Sequence, residues 1–277
     1  MSVNLRESFY RELAKKDQQL NLAYAALLFA EYLTQAFNNS WYLASLDKMA
    51  ETIETQVTAA PTDTAKIDVL NHHLFTELKF AGNIKNYYQP DNSFLNKVLD
   101  TRLGIPISLC VVYLEVGWRL GLPLWGINMP GHFIVGYGPA SDPLYIDVFG
   151  RGRILSEAEC LAISQGRIID ARQPREIYLK PAPKKAIIYR MLLNVKQIYV
   201  RAERWESAYK VTDLMLAVPP RRPNDIRDRG LLAYRLNRLR DATADLERYL
   251  FLTPNSPDAD WLKEHLEKME EKLLRLN

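Results

Sequence analysis

Residues 104–147 constrain the fold of this chain most strongly, because their pattern predicts one helix followed by three short strands. Pro106 stands where the first turn of a helix accepts proline, and an apolar run follows it. Three runs rich in β-formers come next, and they cover residues 124–129, 132–137 and 144–149. A Pro-Gly turn joins the first two runs. We therefore expect a compact α+β unit with a small antiparallel sheet.

This stretch also carries the three side chains that nucleophilic thiol catalysis requires, namely Cys110, His132 and Asp147. The thiolate is the nucleophile, so a catalytic thiol needs a neighbouring imidazole or a helix N-terminus to stabilise its charge. The imidazole in turn needs an acceptor that fixes its tautomer and its orientation. If the strands that carry His132 and Asp147 pair with each other, the two side chains can lie side by side. The three residues are therefore a candidate catalytic site.

Three segments in the middle third of the chain carry a resemblance to a known family: LFTELKFAGNIKNYYQPDNSFLNKVLDTRLGIPISL at residues 74–109, GWRLGLPLWGINMPGHFIVGY at 117–137 and YIDVFGRG at 145–152. They resemble the core of the transglutaminase-like superfamily, whose triad is a Cys at a helix start followed by a His and an Asp on strands. The nearer resemblance is to the bacterial SirB-type branch, in which this core is joined to tetratricopeptide repeats. The resemblance implies a transglutaminase- or cysteine-protease-like α+β core within a mostly helical chain.

One departure from the family pattern bears on activity. In catalytic members the Cys lies two residues after a Gly, and the helix ends at a Gly-Ile/Leu-Pro about fifteen residues later. Placing Gly104 and Gly121 on that frame puts Pro106 at the nucleophile position. Cys110 falls four residues further on, one helical turn or ~6 Å deeper along the same face. The position of Cys110 in the second turn favours a buried core thiol with a raised pKa over a catalytic one.

The other candidates each have two interpretations. Ser108 either bonds a helix N-terminal amide or replaces the thiol as nucleophile. His132 and Asp147 either serve catalysis or form a structural hydrogen bond in an enzyme fold that has lost its nucleophile. In the active alternative, Cys110 is the nucleophile, His132 the base and Asp147 the group that orients it. Amides near the helix start would then be the oxyanion donors.

The pattern is helical throughout from residue 184 onward, and it repeats with a period of 34 residues. The matching pairs are Ala208 with Ala242, Leu216 with Leu250 and Pro220 with Pro254. This period, with a small Ala in the second helix and a Pro after it, is typical of tetratricopeptide repeats. The predicted helices cover residues 184–202, 205–218, 224–238, 240–253 and 258–276. They make two hairpins and a charged capping helix.

Repeats of this kind usually bind a peptide or a partner protein on a concave surface, so we expect a protein partner in this region. Four cations are candidates for lining that surface and favouring an acidic ligand, namely Lys196, Arg227, Arg229 and Arg235. A solvated charged face is the alternative for each of them.

The N-terminal third is predicted to be helical. A helix capped by Asp63 or Thr64 is expected to run to Phe80, and Ser93 is expected to cap a short helix over residues 94–100. The predicted domains are a helical N-terminal subdomain at 1–93, a transglutaminase-like α+β core at 94–170 packed with it as one domain, a linker at 171–183, and repeats with a capping helix at 184–277.

Composition and charge narrow the classes of function. The chain has 277 residues with 48% apolar and 25% charged side chains, so ordinary globular domains are expected. The net charge of +3 is small and without a basic stripe, so we expect no nucleic-acid partner. The longest apolar run, residues 22–30, is far shorter than the ~20 residues that cross a bilayer, so no membrane span is predicted. Cys110 and Cys160 form no metal-ligand pattern, and neither a metal nor a cofactor is predicted.

The polar, charged N-terminal sequence is unlike a secretory signal, and we expect a cytoplasmic protein with reduced thiols. The leading hypothesis is an interaction or regulatory protein on a catalytically degenerate transglutaminase-like core, a pseudoenzyme, whose repeats bind a partner protein. The competing hypothesis is an active cysteine hydrolase or acyltransferase that acts on peptide amides through Cys110, His132 and Asp147.

Overall fold

A computed structural model describes residues 4–164 and 177–276. The chain divides into two compact units, Met1–Met191 and Leu192–Asn277. Helices dominate both, and the first unit also contains a four-stranded antiparallel sheet and a two-stranded parallel sheet formed by residues 81–82 and 103–104. The predicted α+β, mostly helical fold class is confirmed.

The first unit contains seven helices among the described residues, and an eighth crosses into the second unit. These are α1 Leu5–Ala14, α2 Leu22–Leu33, α3 Asn39–Ala59, α4 Asp63–Asn71, α5 Leu95–Thr101, α6 Pro106–Arg119, α7 Glu157–Ile163 and α8 Lys184–Arg201. The strands are β1 Ala81–Gly82, β2 Leu103–Gly104, β3 Leu124–Met129, β4 His132–Tyr137, β5 Leu144–Asp147 and β6 Arg153–Leu155.

Helix α6 is the centre of the first unit. All of its residues from Pro106 to Gly117 are buried, and it packs against α2, α3, α5 and the strands β3 and β4. Pro106 opens the helix, and Gly121 follows its end with φ +69°, a left-handed conformation that glycine adopts without strain. The predicted helix start at Pro106 is confirmed.

The sheet has the strand order β3-β4-β5-β6, and each neighbouring pair is antiparallel. The predicted strand over 144–149 is wrong at its end, because β5 stops at Asp147. There the chain turns: the N–H of Gly152 donates to the carbonyl oxygen of Asp147 at 2.9 Å, and Arg151 has a φ of +62°. Strand β6, which the sequence patterns do not predict, follows this turn.

Two of the expected helix caps are wrong. Thr62, not Asp63 or Thr64, caps α4, since its side chain accepts a hydrogen bond from the backbone N–H three residues on. Ser93 lies in a 3₁₀ turn, and Phe94 precedes α5 without a side-chain cap. Helix α4 begins one or two residues before the predicted position, and α5 begins one residue after it.

The helix predicted to continue to Phe80 does not do so. Helix α4 ends at Asn71, and a π-helical turn, His72–Glu77, follows it. In this turn the N–H of Leu78 donates to the carbonyl oxygen of His73, five residues back, at 2.9 Å. The wider turn changes the direction in which the following side chains point.

The second unit contains the end of α8 followed by α9 Trp205–Met215, α10 Pro223–Arg235, α11 Leu239–Leu252 and α12 Ala259–Leu276. The helices pack on their sequence neighbours, α9 on α10, α10 on α11 and α11 on α12. Gly230 on α10 lies against Leu246 on α11, where a Cβ would stand 2.9 Å from the leucine Cγ. Ala242 is fully buried in the same cluster. Small residues at these contacts therefore let the repeated helices pack closely.

The predicted linker at 171–183 lies in part outside the described residues, at 171–176. Its last residues contact the sheet: Pro181 forms a β-bridge with Ile127, and the N–H of Ala182 donates to the carbonyl oxygen of Gly126 at 2.8 Å. The domain boundaries stay predictions. Within residues 4–164 and 177–276, no helix is both long enough and apolar enough to cross a membrane.

Candidate functional site

His132 and Asp147 meet at one end of the β4–β5 pair. In the antiparallel register Val135 lies opposite Ile146, so Asp147 lies opposite Ile134. His132 is two residues before Ile134 on the same strand, and its side chain therefore lies on the same face of the sheet as that of Asp147. The Nε2 atom of His132 lies 2.9 Å from Oδ1 of Asp147. The structure thus brings these two predicted residues together.

Asp147 is held in its ionised form. Burial raises the pKa of its carboxyl, but the hydrogen bond and charge of His132, the backbone N–H of Gly150 and the charge of Arg153 lower it, and the net direction is downward. Because the carboxylate accepts, Nε2 of His132 carries the proton and donates. The other ring nitrogen, Nδ1, is then the one that can act on a nucleophile or a ligand.

Two residues missed by the sequence patterns shape this pair. A Cβ on Gly150 would stand 2.5 Å from Oδ2 of Asp147, so a side chain there would displace the carboxylate. The ring of Phe149 packs edge-on against the His132 ring, with centroids 6.3 Å apart, and against Tyr87 at 6.4 Å. The glycine three residues after Asp147 is the sequence signal that could have indicated a turn closing on the carboxylate.

Cys110 lies in α6, and its side chain is fully buried. Its Sγ donates to the backbone carbonyl oxygen of Phe133 at 3.5 Å. Burial, and after it the negative charge of Asp147, raise the pKa of the Cys110 thiol well above its usual value. This environment favours the neutral thiol, whereas nucleophilic catalysis needs the thiolate.

Pro106 and Ser108 occupy the first turn of α6. Pro106 is buried at the first helical position. Ser108 is fully buried, and its hydroxyl donates to the carbonyl oxygen of Asn92 at 2.6 Å and accepts from the N–H of Ile105 at 3.1 Å. The Ser108 hydroxyl is therefore engaged in holding the start of the helix, as its structural interpretation expects.

Asn92 extends this contact into the loop before α5. Its side-chain amide donates to the carbonyl oxygens of Asn86 at 2.7 Å and Tyr87 at 3.1 Å. Its side-chain oxygen accepts from Asn83 at 2.9 Å. One buried residue thus connects the start of α6 to the loop that carries Tyr87.

The cations expected to line the partner surface of the second unit are engaged within the chain, and two of them, Lys196 and Arg235, also line a groove of this unit. Three of them pair with aspartates: Lys196 with Asp228 at 2.8 Å, Arg227 with Asp258 at 2.8 Å and Arg229 with Asp213 and Asp245 at 2.6 and 2.7 Å. The guanidinium of Arg235 lies over the ring of Trp205, 5.6 Å from its centroid. Their charges serve intramolecular contacts between helices.

A groove of about 870 Å³ in the second unit is lined from α8, the first residue of α9, α10 and α12. Three large apolar side chains along it are exposed to solvent: Val200 at 39%, Tyr234 at 43% and Trp261 at 50%. Apolar side chains grouped in a groove are typical of protein-interaction surfaces. The groove is therefore the candidate partner surface of this unit.

Comparison with known proteins agrees with these features. Residues 40–193 match the family model described as transglutaminase-like superfamily, and residues 195–267 match a tetratricopeptide repeat model. A UPF0162 protein of Xylella fastidiosa (strain Temecula1) is 35% identical over 254 residues, which are 90% of each chain. A UPF0162 protein of Vibrio cholerae is 28% identical over 245 residues, 88% of this chain and 90% of the relative.

A shorter similarity reaches a eukaryotic protein. Human F-box only protein 21 is 38% identical over 102 residues, which are 34% of this chain and 16% of that protein. The bacterial relatives, in contrast, match along nearly the whole chain. The chain therefore belongs to the transglutaminase-like superfamily and to the UPF0162 family of proteins, with tetratricopeptide repeats following its core.

Proposed function

We propose that this protein is a cytoplasmic interaction or regulatory protein of the SirB type, whose transglutaminase-like core has lost its nucleophile and whose repeats bind a partner protein. The observation that carries the proposal is Pro106 at the first position of α6. This is the place that the family pattern gives to the catalytic Cys. A proline side chain has no heteroatom that could attack a carbonyl carbon.

The two possible substitutes for the nucleophile support the same conclusion. Cys110 lies one turn deeper, buried and bonded to a backbone carbonyl oxygen, with its pKa raised. Ser108 uses its hydroxyl to hold the helix start. The His132–Asp147 pair then acts as a structural hydrogen bond between β4 and β5, with no thiol for the imidazole to activate.

The thiols of the native protein are expected to resist iodoacetamide at pH 7, and to react fully after denaturation. Cys110 and Cys160 are both buried, and burial raises the pKa of both, that of Cys160 to about 12. Because alkylation needs an accessible thiolate, the labelling rate of each should rise only well above about pH 8. Intact-mass spectrometry of samples quenched at each pH would measure it.

The active-enzyme alternative predicts a different result. The intact His132–Asp147 pair is the observation that favours it. On that alternative, Cys110 alone is alkylated rapidly below pH 8, Cys160 stays unlabelled, and His132→Ala slows the reaction. Selective labelling of Cys110 with this dependence on His132 would contradict the degenerate site.

The partner surface is proposed to be the groove lined by Tyr234 and Trp261, since exposed aromatic side chains in a groove are the usual anchors of an interface. The double variant Tyr234→Ala, Trp261→Ala is expected to bind the partner protein with an affinity at least about tenfold weaker. Quantitative affinity purification of the full chain from its native lysate would measure the loss.

Phe251→Ala is the matched control, because Phe251 is an aromatic residue of the same unit that is 84% exposed and lies outside the groove. A partner that is retained by Phe251→Ala and lost by the double variant supports the proposal. Equal retention by both variants would place the partner on another surface and contradict it.

A further inference from the structure

A second cleft, of about 600 Å³, lies in the first unit, and no residue of the His132–Asp147 site lines it. Its walls come from α3, from the π-helical turn and from the end of α5. Its volume falls within the range of ~300–1,000 Å³ that is usual for small-molecule sites. Three side chains give it an apolar surface, namely Trp41, Met49 and Leu78.

The π-helical turn brings His73 to this cleft. His73 is only 4% exposed, and its Nδ1 lies 2.5 Å from Oε2 of Glu77. Its Nε2 is buried and has no hydrogen-bond partner among the residues that the structure describes. Turns of this kind recur at functional sites, and a buried polar atom without a partner indicates a place that a ligand or water completes. Because Nδ1 donates to the Glu77 carboxylate, Nε2 of the neutral ring is an acceptor that a hydroxyl or a water would satisfy, so another residue has to supply the donor to an anion.

Arg102 contributes the second unsatisfied group. Its backbone is left-handed, with φ +63°, and its guanidinium lies over the ring of Phe80, 4.8 Å from the centroid. Its Nη1 is buried and without a hydrogen-bond partner in the described part of the chain. Asp100, which attracts this cation, accepts a hydrogen bond from the hydroxyl of Tyr42 at 2.9 Å. Arg102 is therefore a half-buried cation with donor capacity left over.

We propose that this cleft binds a small ligand that has an anionic head group, a carboxylate or a phosphate, on a flat apolar body. Arg102 donates to the head group in a charge-assisted hydrogen bond. An anion fits better than a cation, because the carboxylate of the cleft, Glu77, is already bonded to His73. The body of the ligand lies against Trp41, whose side chain is 60% exposed, and Leu78.

The test uses the full chain and three probes of similar size: benzoate, phenyl phosphate and the uncharged benzyl alcohol. NMR titration would follow the indole N–H signal of Trp41, assigned by its loss in Trp41→Phe. We expect a Kd of about 1 mM for the better anionic probe, as ligands of this size usually reach, and binding at least about tenfold weaker for benzyl alcohol. A preference for phenyl phosphate identifies a phosphate head group, and a preference for benzoate a carboxylate.

Arg102→Gln is expected to weaken binding of the anionic probe about tenfold, since it removes the charge and keeps a polar side chain. Lys79→Gln is the matched control, because Lys79 is an exposed cation outside the cleft with a similar left-handed backbone, φ +61°. It should leave the affinity unchanged. Equal binding of benzyl alcohol, or equal affinities of the two variants, would overturn the proposal.

If Arg102→Gln fails to fold, the variant Ala44→Phe tests whether the anionic probe binds in this cleft. Ala44 lines the cleft from an exposed position on α3, so a phenyl group there fills the cleft without entering the core. It leaves Arg102 unaltered. Loss of anion binding in this variant supports a site in the cleft, whereas unchanged binding shows that the probe binds elsewhere and contradicts it.

Discussion

Replacing Pro106 by Cys, in a Cys110→Ala background, is expected to give a thiol that iodoacetamide alkylates at pH 7 at least about tenfold faster than it alkylates Cys110 in the native chain. Pro106 stands at the first position of α6, where the helix dipole and open N–H groups stabilise a thiolate. The family pattern places this position beside His132, whose ring Asp147 already orients. The rate of mass gain during labelling measures the effect.

Ser108→Cys, again in the Cys110→Ala background, is the matched control for this experiment. Residue 108 lies in the same buried helical turn, but its side chain is directed at the carbonyl oxygen of Asn92 and not at the position that the family pattern gives to the nucleophile, so its thiol should remain unreactive. Adding His132→Ala to the Pro106→Cys variant should remove the part of the thiol's reactivity that depends on the imidazole and leave the part that depends on the helix N-terminus. A thiol at 106 as slow as one at 108, in protein that retains its native circular dichroism, would show that the site no longer has the shape of a catalytic centre.

Arg229→Ala is expected to destabilise the second unit by about 3 kcal/mol, since it removes the cation that two largely buried aspartates share. The Arg229 guanidinium bridges Asp213 on α9 and Asp245 on α11, and their side chains are 11% and 8% exposed. These carboxylates together raise the pKa of Arg229 well above its usual value. In a unit of this size the loss corresponds to a decrease in Tm of about 10 °C or more. Differential scanning calorimetry of the full chain would resolve it.

Arg235→Ala provides the comparison for Arg229→Ala. It removes the same side chain from the same helix, but Arg235 is exposed and contacts only a ring face, that of Trp205, among the contacts described above. We expect a loss of about 1 kcal/mol or less. Similar Tm values for the two variants would mean that the Asp213–Arg229–Asp245 bridge contributes little to the packing of α9, α10 and α11.

Elements marked by proline and glycine are those that the sequence predicts well. Pro106 defines the start of α6, Gly121 its end, and the Pro130-Gly131 turn joins β3 to β4. Backbone preferences of single residues decide these positions, so they are visible without tertiary contacts. The pairing of His132 with Asp147 is predictable to the same extent, because period-two patterns put both residues on adjacent strands.

The turn between β5 and β6 also has a contact with a distant residue. The side-chain amide of Asn71 donates to the carbonyl oxygen of Gly152 at 3.0 Å, and its oxygen accepts from the hydroxyl of Tyr113. This contact joins residues 81 positions apart, so no local pattern contains it.

Local sequence patterns likewise do not predict the aspartates that pair with Lys196 and Arg229, because these aspartates lie on other helices than the cations. For that reason the cations could be identified from the sequence, but their pairing could not.

The hydrogen bonds of Asn92 hold the backbone of the loop before α5 without involving the side chains on its outer surface. Because this buried amide fixes the backbone at Asn86 and Tyr87, the outward-facing side chain of Ile84, which is 77% exposed, can change without moving the rings beside His132. A substitution at Ile84 can therefore change what this loop presents to other molecules and leave its interior contacts in place. Binding specificity at this surface could therefore change with little loss of folding stability.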